Sequence, residues 1–513
     1  VALLLLSAPP LFSQTEPELP RLLHSGLPAS LGRTLVVRAG SDLQKALDES
    51  LPGDTIEIEA GAAFTGPFTL PRKPGPGVVI VVTGEGKLPP PGRRVSPADA
   101  LAMPKLEASE GPVIRTAPGA QSYRFIGIEI RPSPGRSLGN LVELGTGSET
   151  TLEELPADIV FDRCYVHGDP ERGSRRGIAM NARSVAVVDS YFSDFKWSDG
   201  ESQAIAAWAG PGPFKITNNY LEAAGVNLLF GGGDPRIQGL VPSDIEIRGN
   251  HIRKPPDWQP GRGQAWVVKN LLELKNARRV LIEGNLLENN WKGDQSGFAI
   301  LFTVRNQSGG SPWSVVEDVT FVNNRLLRAD GGINLLGRDR TWPSGSGQTR
   351  RVSIRNNLFE ELNGRLFQLL DGTADVVIDH NTAMNSNSIA FAEGAAHRGF
   401  VFQNNIVLHD KYGIAGTDAA PGNDSLQEFF PGAVVRRNVV VGGDGARYPP
   451  DNFFPASLGD VGFVDSAAAD YRLSALSPYR EAGTDGRDPG VDFVQLSAAQ
   501  ANVASPFAEK EPP

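Results

Sequence analysis

Three short segments carry charged side chains at alternate positions: VVKNLLELKNARR, AILFTVRN and GGINLLGRDR. Read as strands, the first turns Leu272 and Leu274 inward and leaves Lys269, Glu273 and Lys275 outside. The second buries Ile300, Phe302 and Val304 and leaves Thr303 and Arg305 outside; the third buries Ile333 and Leu335, with Asn334 outward and Arg338 at the strand end. Such a row suits proton abstraction beside a carboxylate, which needs a base, a proton donor and a positive group. Lysine and arginine fill the first and last roles when like charges push a lysine towards its neutral form. Lys275, Arg305 and Glu273 are therefore the candidate catalytic residues, although Glu273 works against a neutral Lys275. Lys269, Asn334 and Arg338 are candidate substrate ligands, joined by Trp258 and Trp266 from the loop KPPDWQPGRGQAW, which would wall a groove. The bland reading of the same residues is a ladder of solvated charges on a sheet face.

Other charged runs offer less. HGDPERGSRRG gathers His167, Asp169, Glu171, Arg172, Arg175 and Arg176 in one predicted turn that would grip an acidic group. WSDGESQ offers Asp199 and Glu201, and GTDGRDPGVD offers Asp485, Asp488 and Asp492. Those carboxylates suit Ca²⁺, the one cofactor the sequence suggests, but no complete calcium loop is present. No metal site is assigned, since the six histidines show no ligand spacing.

The elements that must position these residues repeat along the chain. The unit is an apolar strand, two turn residues ending in Asn, and a second apolar strand, as in VLIEGNLLEN, VSIRNNLFEE and VVIDHNTAMN. Aligned on the turn they give Asn219, Asn250, Asn285, Asn324, Asn357, Asn381, Asn405 and Asn438, preceded by Cys164 and Ser190 in two earlier units. A third strand follows, often behind a glycine, as in GGINLLG. Successive asparagines lie from 24 (Asn357 to Asn381) to 39 residues apart (Asn285 to Asn324). Three short strands and their turns need about 22 to 25 residues, so the excess must be loops. The pattern predicts an all-β chain: a single right-handed parallel β-helix of about ten coils, on the order of 50 Å long. Its asparagines should hydrogen-bond along a ladder at positive or bridging φ.

An open stack needs covers. Ser41-Asp42-Leu43-Gln44 has a capping-box pattern, and Leu43, Ala46, Leu47 and Leu51 follow at helical spacing up to Gly53. The predicted organisation is a β-helix over 35–447, capped by a helix within 35–70, and a C-terminal coil, cap and tail over 448–513. VALLLLSAPPLFSQ reads as the remnant of a secretory signal over 1–14, which points to a secreted or cell-surface protein. The 58 glycines and 40 prolines are spread between apolar runs, as many strand-joining turns require. A formal charge of -10 without a basic tract argues against nucleic acid as a partner. No stretch is long and apolar enough for a transmembrane helix. A lone Cys164 leaves no intrachain disulfide, and a monomer is expected.

With this repeat, the chain resembles the pectate-lyase-like superfamily, and more closely the bacterial exported right-handed β-helix repeat proteins. SDLQKALDESLPGDTIEIEAG is similar to that superfamily's opening and YRLSALSPYREAGTDGRDPGVD to a common ending, so the likeness spans Val36 to Asp492. The resemblance implies an extracellular polysaccharide as partner. It does not name a reaction, because the scaffold hosts many. The pectate lyases' R-x-P-x-x-R motif is missing, and their W-I-D-H signature is echoed only by Ile378-Asp379-His380. Neither the N-x-D element nor the Asp pair of polygalacturonases is evident. Two functions remain open: a polysaccharide lyase using the basic outward residues, or a non-catalytic surface or matrix protein that binds glycan.

Overall fold

The computed structural model describes residues 15–84 and 87–503; the segment read as a signal remnant lies outside them. The chain winds into three parallel sheets of 14, 13 and 12 strands, all short, as the alternating apolar pattern requires. Each coil contributes one strand to each sheet in turn, for example Ala277–Glu283, Leu286–Asn290 and Phe298–Thr303. It is a right-handed parallel β-helix of about thirteen coils, not ten. The shortfall has a simple cause: the strands Thr34–Val37, Thr55–Ile58, Val79–Thr83 and Gln121–Ile126 carry no marked turn. Inward residues form one continuous core, in which Leu272, Leu274, Ile300, Phe302, Ile333 and Leu335 are completely buried.

The asparagine ladder occupies the corner between the 14- and 13-stranded sheets. Asn357 shows its chemistry: its N–H and Nδ2 both donate to Asn381 Oδ1 (3.0 and 2.9 Å), and Nδ2 also donates to Phe321 O and Arg355 O. Asn405 continues the series through Asn438 to Asn452, which the repeat did not mark. At the other end Cys164 N–H donates to Ser190 Oγ, and Ser190 N–H to Asn219 Oδ1. Cys164 is fully buried and burial pushes its thiol up to about 12, which suits a packing role. From Cys164 to Asn438 the positive φ falls one residue before the ladder member, as at Asn323 (57°), Asn356 (53°), His380 (52°) and Asn404 (55°). That residue makes the bend, so the asparagine after it can aim its amide along the stack.

The N-terminal helix spans Leu43–Glu49, with Leu43 and Leu47 buried against the first coils. Its cap differs from the expected box, because Asp42 caps Lys45 N–H. Gln44 instead bonds Thr69 through both its amide atoms (2.9 and 2.8 Å), closing the free edge of Phe68–Leu70, the end strand of the 12-stranded sheet. Leu51 is exposed, outside the helix.

The C-terminal region adds one short parallel rung, Val439 with Phe453, and then leaves the stack. Phe463–Asp465 and Asp470–Leu473 form an antiparallel hairpin, and the tail then runs back along the ladder corner. Thr484 N–H reaches Asn404, Asp492 N–H reaches Asn356, and Gln500 reaches Asn285 O. No described helix is long and apolar enough to cross a membrane.

Candidate functional site

The sequence-marked charges lie on the outer face of the 12-stranded sheet. Glu273 aligns with Leu229 on one side and Leu301 on the other, and Leu301 aligns with Asn334. Lys275 leaves the same strand. Its carbonyl accepts from Arg305 N–H at 2.8 Å, so Lys275 and Arg305 occupy adjacent rungs. Loop 254–270 enters these strands from one end, while loops 305–315 and 337–348 leave from the other, giving the face two walls.

Burial separates this face from a solvated ladder. Glu273 is 1% exposed and Lys275 9%, and Lys275 Nζ stands 3.5 Å from Glu273 Oε1. Beside them Lys269 pairs with Glu201, 68 residues away in sequence. Burial raises the Glu273 carboxyl above its ordinary range, and Lys275 only partly offsets this. Burial acts the same way on Glu201, but the bond and charge of Lys269 outweigh it and hold that carboxyl low. Arg305 turns to Asp339 at 3.6 Å, and Arg338 is exposed, reaching Gln348. Three buried oxygens on three neighbouring rungs have no hydrogen-bond partner: Glu273 Oε2, Thr303 Oγ1 and Asn334 Oδ1.

Several residues stand elsewhere than the pattern implied. Trp258 is 7% exposed and so offers no platform, whereas Trp266 is partly exposed. Lys196 Nζ lies 5.4 Å from the Trp258 ring centre and 5.6 Å from that of Trp266, clamping both indoles. The HGDPERGSRRG turn divides between sheets. His167 stacks on Tyr165 and meets Glu129 on the 13-stranded sheet, while Arg176 begins a strand of the 12-stranded sheet. Asp379 and His380 bond each other at the ladder corner, away from the walled face. Most of the carboxylates suggested for calcium are engaged otherwise. Glu201 holds Lys269, Asp488 holds Arg480 and Glu481 N–H, and Asp492 caps the helix Phe493–Ala499. Among the described residues no three His, Cys, Asp or Glu side chains converge as a metal site would need.

Two features of the face are not marked as such in the sequence, where Arg176 reads as part of a turn. Arg176 lies over Trp208 at 5.2 Å and donates to Gln203 and Asn140, with no carboxylate partner among the described residues; burial lowers its pKa to about 10. Outward parity from QAIAAWAG was the available signal for Trp208. Lys254 is wholly buried, with Nζ at 2.9–3.0 Å from five oxygens: those of Ala223, Ala224, Gly225 and Asn270, and Asn227 Oδ1. Its ammonium holds the base of loop 254–270 as a bound cation would, and no sequence signal marked it.

No protein-family model and no curated protein matches the chain. Solved structures do resemble it. A PL6-family alginate lyase aligns over 94% of this chain and 59% of its own, at 13% identity and a TM-score of 0.48. The catalytic unit of a GH87 α-1,3-glucanase from Streptomyces thermodiastaticus covers 83% and 71%, at 12% identity and 0.47. The pectate lyase Pel9A covers 91% and 97%, at 13% identity and 0.31. The chain thus spans about three fifths of the length of the alginate lyase. Its three parallel sheets make it a right-handed parallel β-helix. Likeness this distant carries nothing about chemistry, which rests on the residues of the walled face.

Proposed function

We propose that the outer face of the 12-stranded sheet is the active site of a polysaccharide lyase that cleaves beside a uronate in an extracellular glycan. The observation that carries this reading is the burial of Glu273 and Lys275 beside Glu201 and Lys269. Charges on an outer sheet face lose nothing by staying in water, and withdrawing them costs several kcal/mol per ion by order of magnitude. Outward carboxylates on the other sheets, such as Glu246 and Glu360, are as deeply buried but pair with open arginines, whereas on this face the lysines are withdrawn as well. Perturbed, paired ionisable groups between loop walls are the usual sign of a reactive site.

In this mechanism a glycan closing over the groove removes the remaining water. The Lys275 ammonium then passes its proton to Glu273, whose raised carboxyl favours the neutral pair. Neutral Lys275 takes the C5 proton of the uronate. The C–H electrons form the C4–C5 double bond, the C4–O bond breaks, and the departing oxygen takes the proton held by Glu273, which restores the Lys275 ammonium and the Glu273 carboxylate. Arg305, one rung on, neutralises the uronate carboxylate as charge develops, and Arg338 lies at the groove edge.

The test is ultraviolet absorbance of the unsaturated product across a panel of uronate-containing polymers, with Lys275→Arg as the decisive variant. Arginine keeps the charge and length but does not release its proton. Lys275→Arg should lower kcat by about 10²–10⁴-fold with little change in KM. Turnover equal to the wild type would leave Lys275 a binding residue, and no product from any polymer would leave the protein a non-catalytic glycan binder.

A further inference from the structure

A cleft of about 400 Å³ adjoins the charge cluster on the side of loop 254–270. Trp197 and Trp266 line it together with Ser137, Glu171, Arg172 and Asp199. Both tryptophans are partly exposed, and both are held. Trp197 O accepts from Val267 N–H at 3.0 Å, joining the two segments that carry the indoles. Lys196, itself 7% exposed, reaches from beneath Trp266 to Pro170 O (2.5 Å) and Asp194 Oδ1 (3.1 Å), which ties the 168–175 turn to the tryptophan loop. Asp169 fixes that turn by accepting from the N–H groups of Glu171, Arg172 and Gly135. The cleft is therefore preformed, with few rotamers left to order on binding.

The lining states what would fit. Indole faces match the C–H face of a pyranose ring, and a rim of hydroxyl, carboxylate and guanidinium groups matches its hydroxyls. Among the described residues Glu171, Arg172 and Asp199 form no ion pair, so all three are available to a ligand. Two carboxylates against one guanidinium give this rim a net negative charge. A sugar carboxylate placed there would be repelled. Both chain segments tie the cleft to the cluster: Asp199 is two residues from Glu201, and Trp266 is three from Lys269.

We infer that this cleft is a subsite for an uncharged sugar, so that the polymer bound along the face is a mixed glycan with neutral residues beside its uronate. This rests on the lyase reading for the neighbouring uronate, but neutral oligomers, which the lyase step cannot cleave, measure the subsite without catalysis. Isothermal titration calorimetry on the full chain would compare neutral hexasaccharides (xylo-, cello- and α-1,3-gluco-), mixed uronate–hexose oligomers, and hexamers of guluronate, mannuronate and galacturonate. Neutral or mixed oligomers should bind and the uronate homo-oligomers should bind at least ten-fold more weakly. Trp266→Ala and Trp197→Ala should each weaken binding ten-fold or more, and Arg172→Ala, at an exposed position with no fold contact at risk, should weaken it several-fold. Binding confined to the homo-uronates, binding unchanged in all three variants, or no binding by any oligomer would overturn the proposal. Lys275→Arg separates the two readings: it should bind neutral oligomers as the wild type does, whether or not it still cleaves.

Discussion

At the corner between the 14- and 13-stranded sheets, the asparagines from Asn219 to Asn438 are all at most 1% exposed, and their amides are matched rung by rung. On the outer face of the 12-stranded sheet Glu273 and Thr303 are as deeply buried, yet Glu273 Oε2, Thr303 Oγ1 and Asn334 Oδ1 have no partners. The first arrangement recovers in hydrogen bonds what it loses in hydration, so it contributes to stability. The second does not, which is the condition of groups kept for a ligand. Single unpartnered atoms occur on the other sheets too, at Glu129 Oε2 and Glu246 Oε2, but on this face three fall on successive rungs.

The largest effect should come from breaking the ladder. Asn357→Val removes the acceptor shared by the N–H and Nδ2 of Asn324 and the amide donor to the carbonyls of Phe321 and Arg355. We expect a loss of about 3–4 kcal/mol in urea unfolding. A loss below about 1 kcal/mol would mean the ladder is ornamental. Lys254→Met should come next, at about 2–3 kcal/mol, because its five oxygens would face a methyl group. Thermal unfolding checks this, and an unchanged midpoint would show that water replaces the ammonium.

Glu222, on the 13-stranded sheet, sharpens the contrast through pH. Burial, then the charge of Asp194, raises its carboxyl to about 7. Its folded pKa thus exceeds the ordinary 4.5. The neutral group's contribution is complete below about pH 4.5 and is lost as pH rises through 7. Glu222→Gln should therefore match the wild type near pH 5 and exceed it by about 2 kcal/mol near pH 8.5. Equal midpoints at both pH values would place Glu222 in an ordinary environment. The smallest effect on stability belongs to the candidate site. Glu273→Leu with Lys275→Met extends the apolar column of Leu229 and Leu301 and should stay within about 1 kcal/mol of the wild type, while abolishing any cleavage. A loss beyond about 2 kcal/mol would make the pair structural and erase the distinction.

Periodic features were legible in the chain because they follow from local rules. Alternation sorted Leu272 from Glu273 and Phe302 from Thr303, and a repeated Asn at one turn announced the ladder and with it the β-helix. The same locality placed Leu43 and Leu47 over the first coil. Coils without the marker went uncounted, and the bend was assigned to the asparagine when the residue before it carries the positive φ. What covers a face is not periodic, and folding alone settled it. Alternation marked Lys275 and Glu273 as outward, which normally means wet, but the loops that bury them come from elsewhere in the chain. The partner of Lys269 lies 68 residues away, and the Lys254 cage draws on segments on either side of it in sequence. Such contacts depend on where stacked coils bring distant loops together, and no residue type or short spacing encodes that.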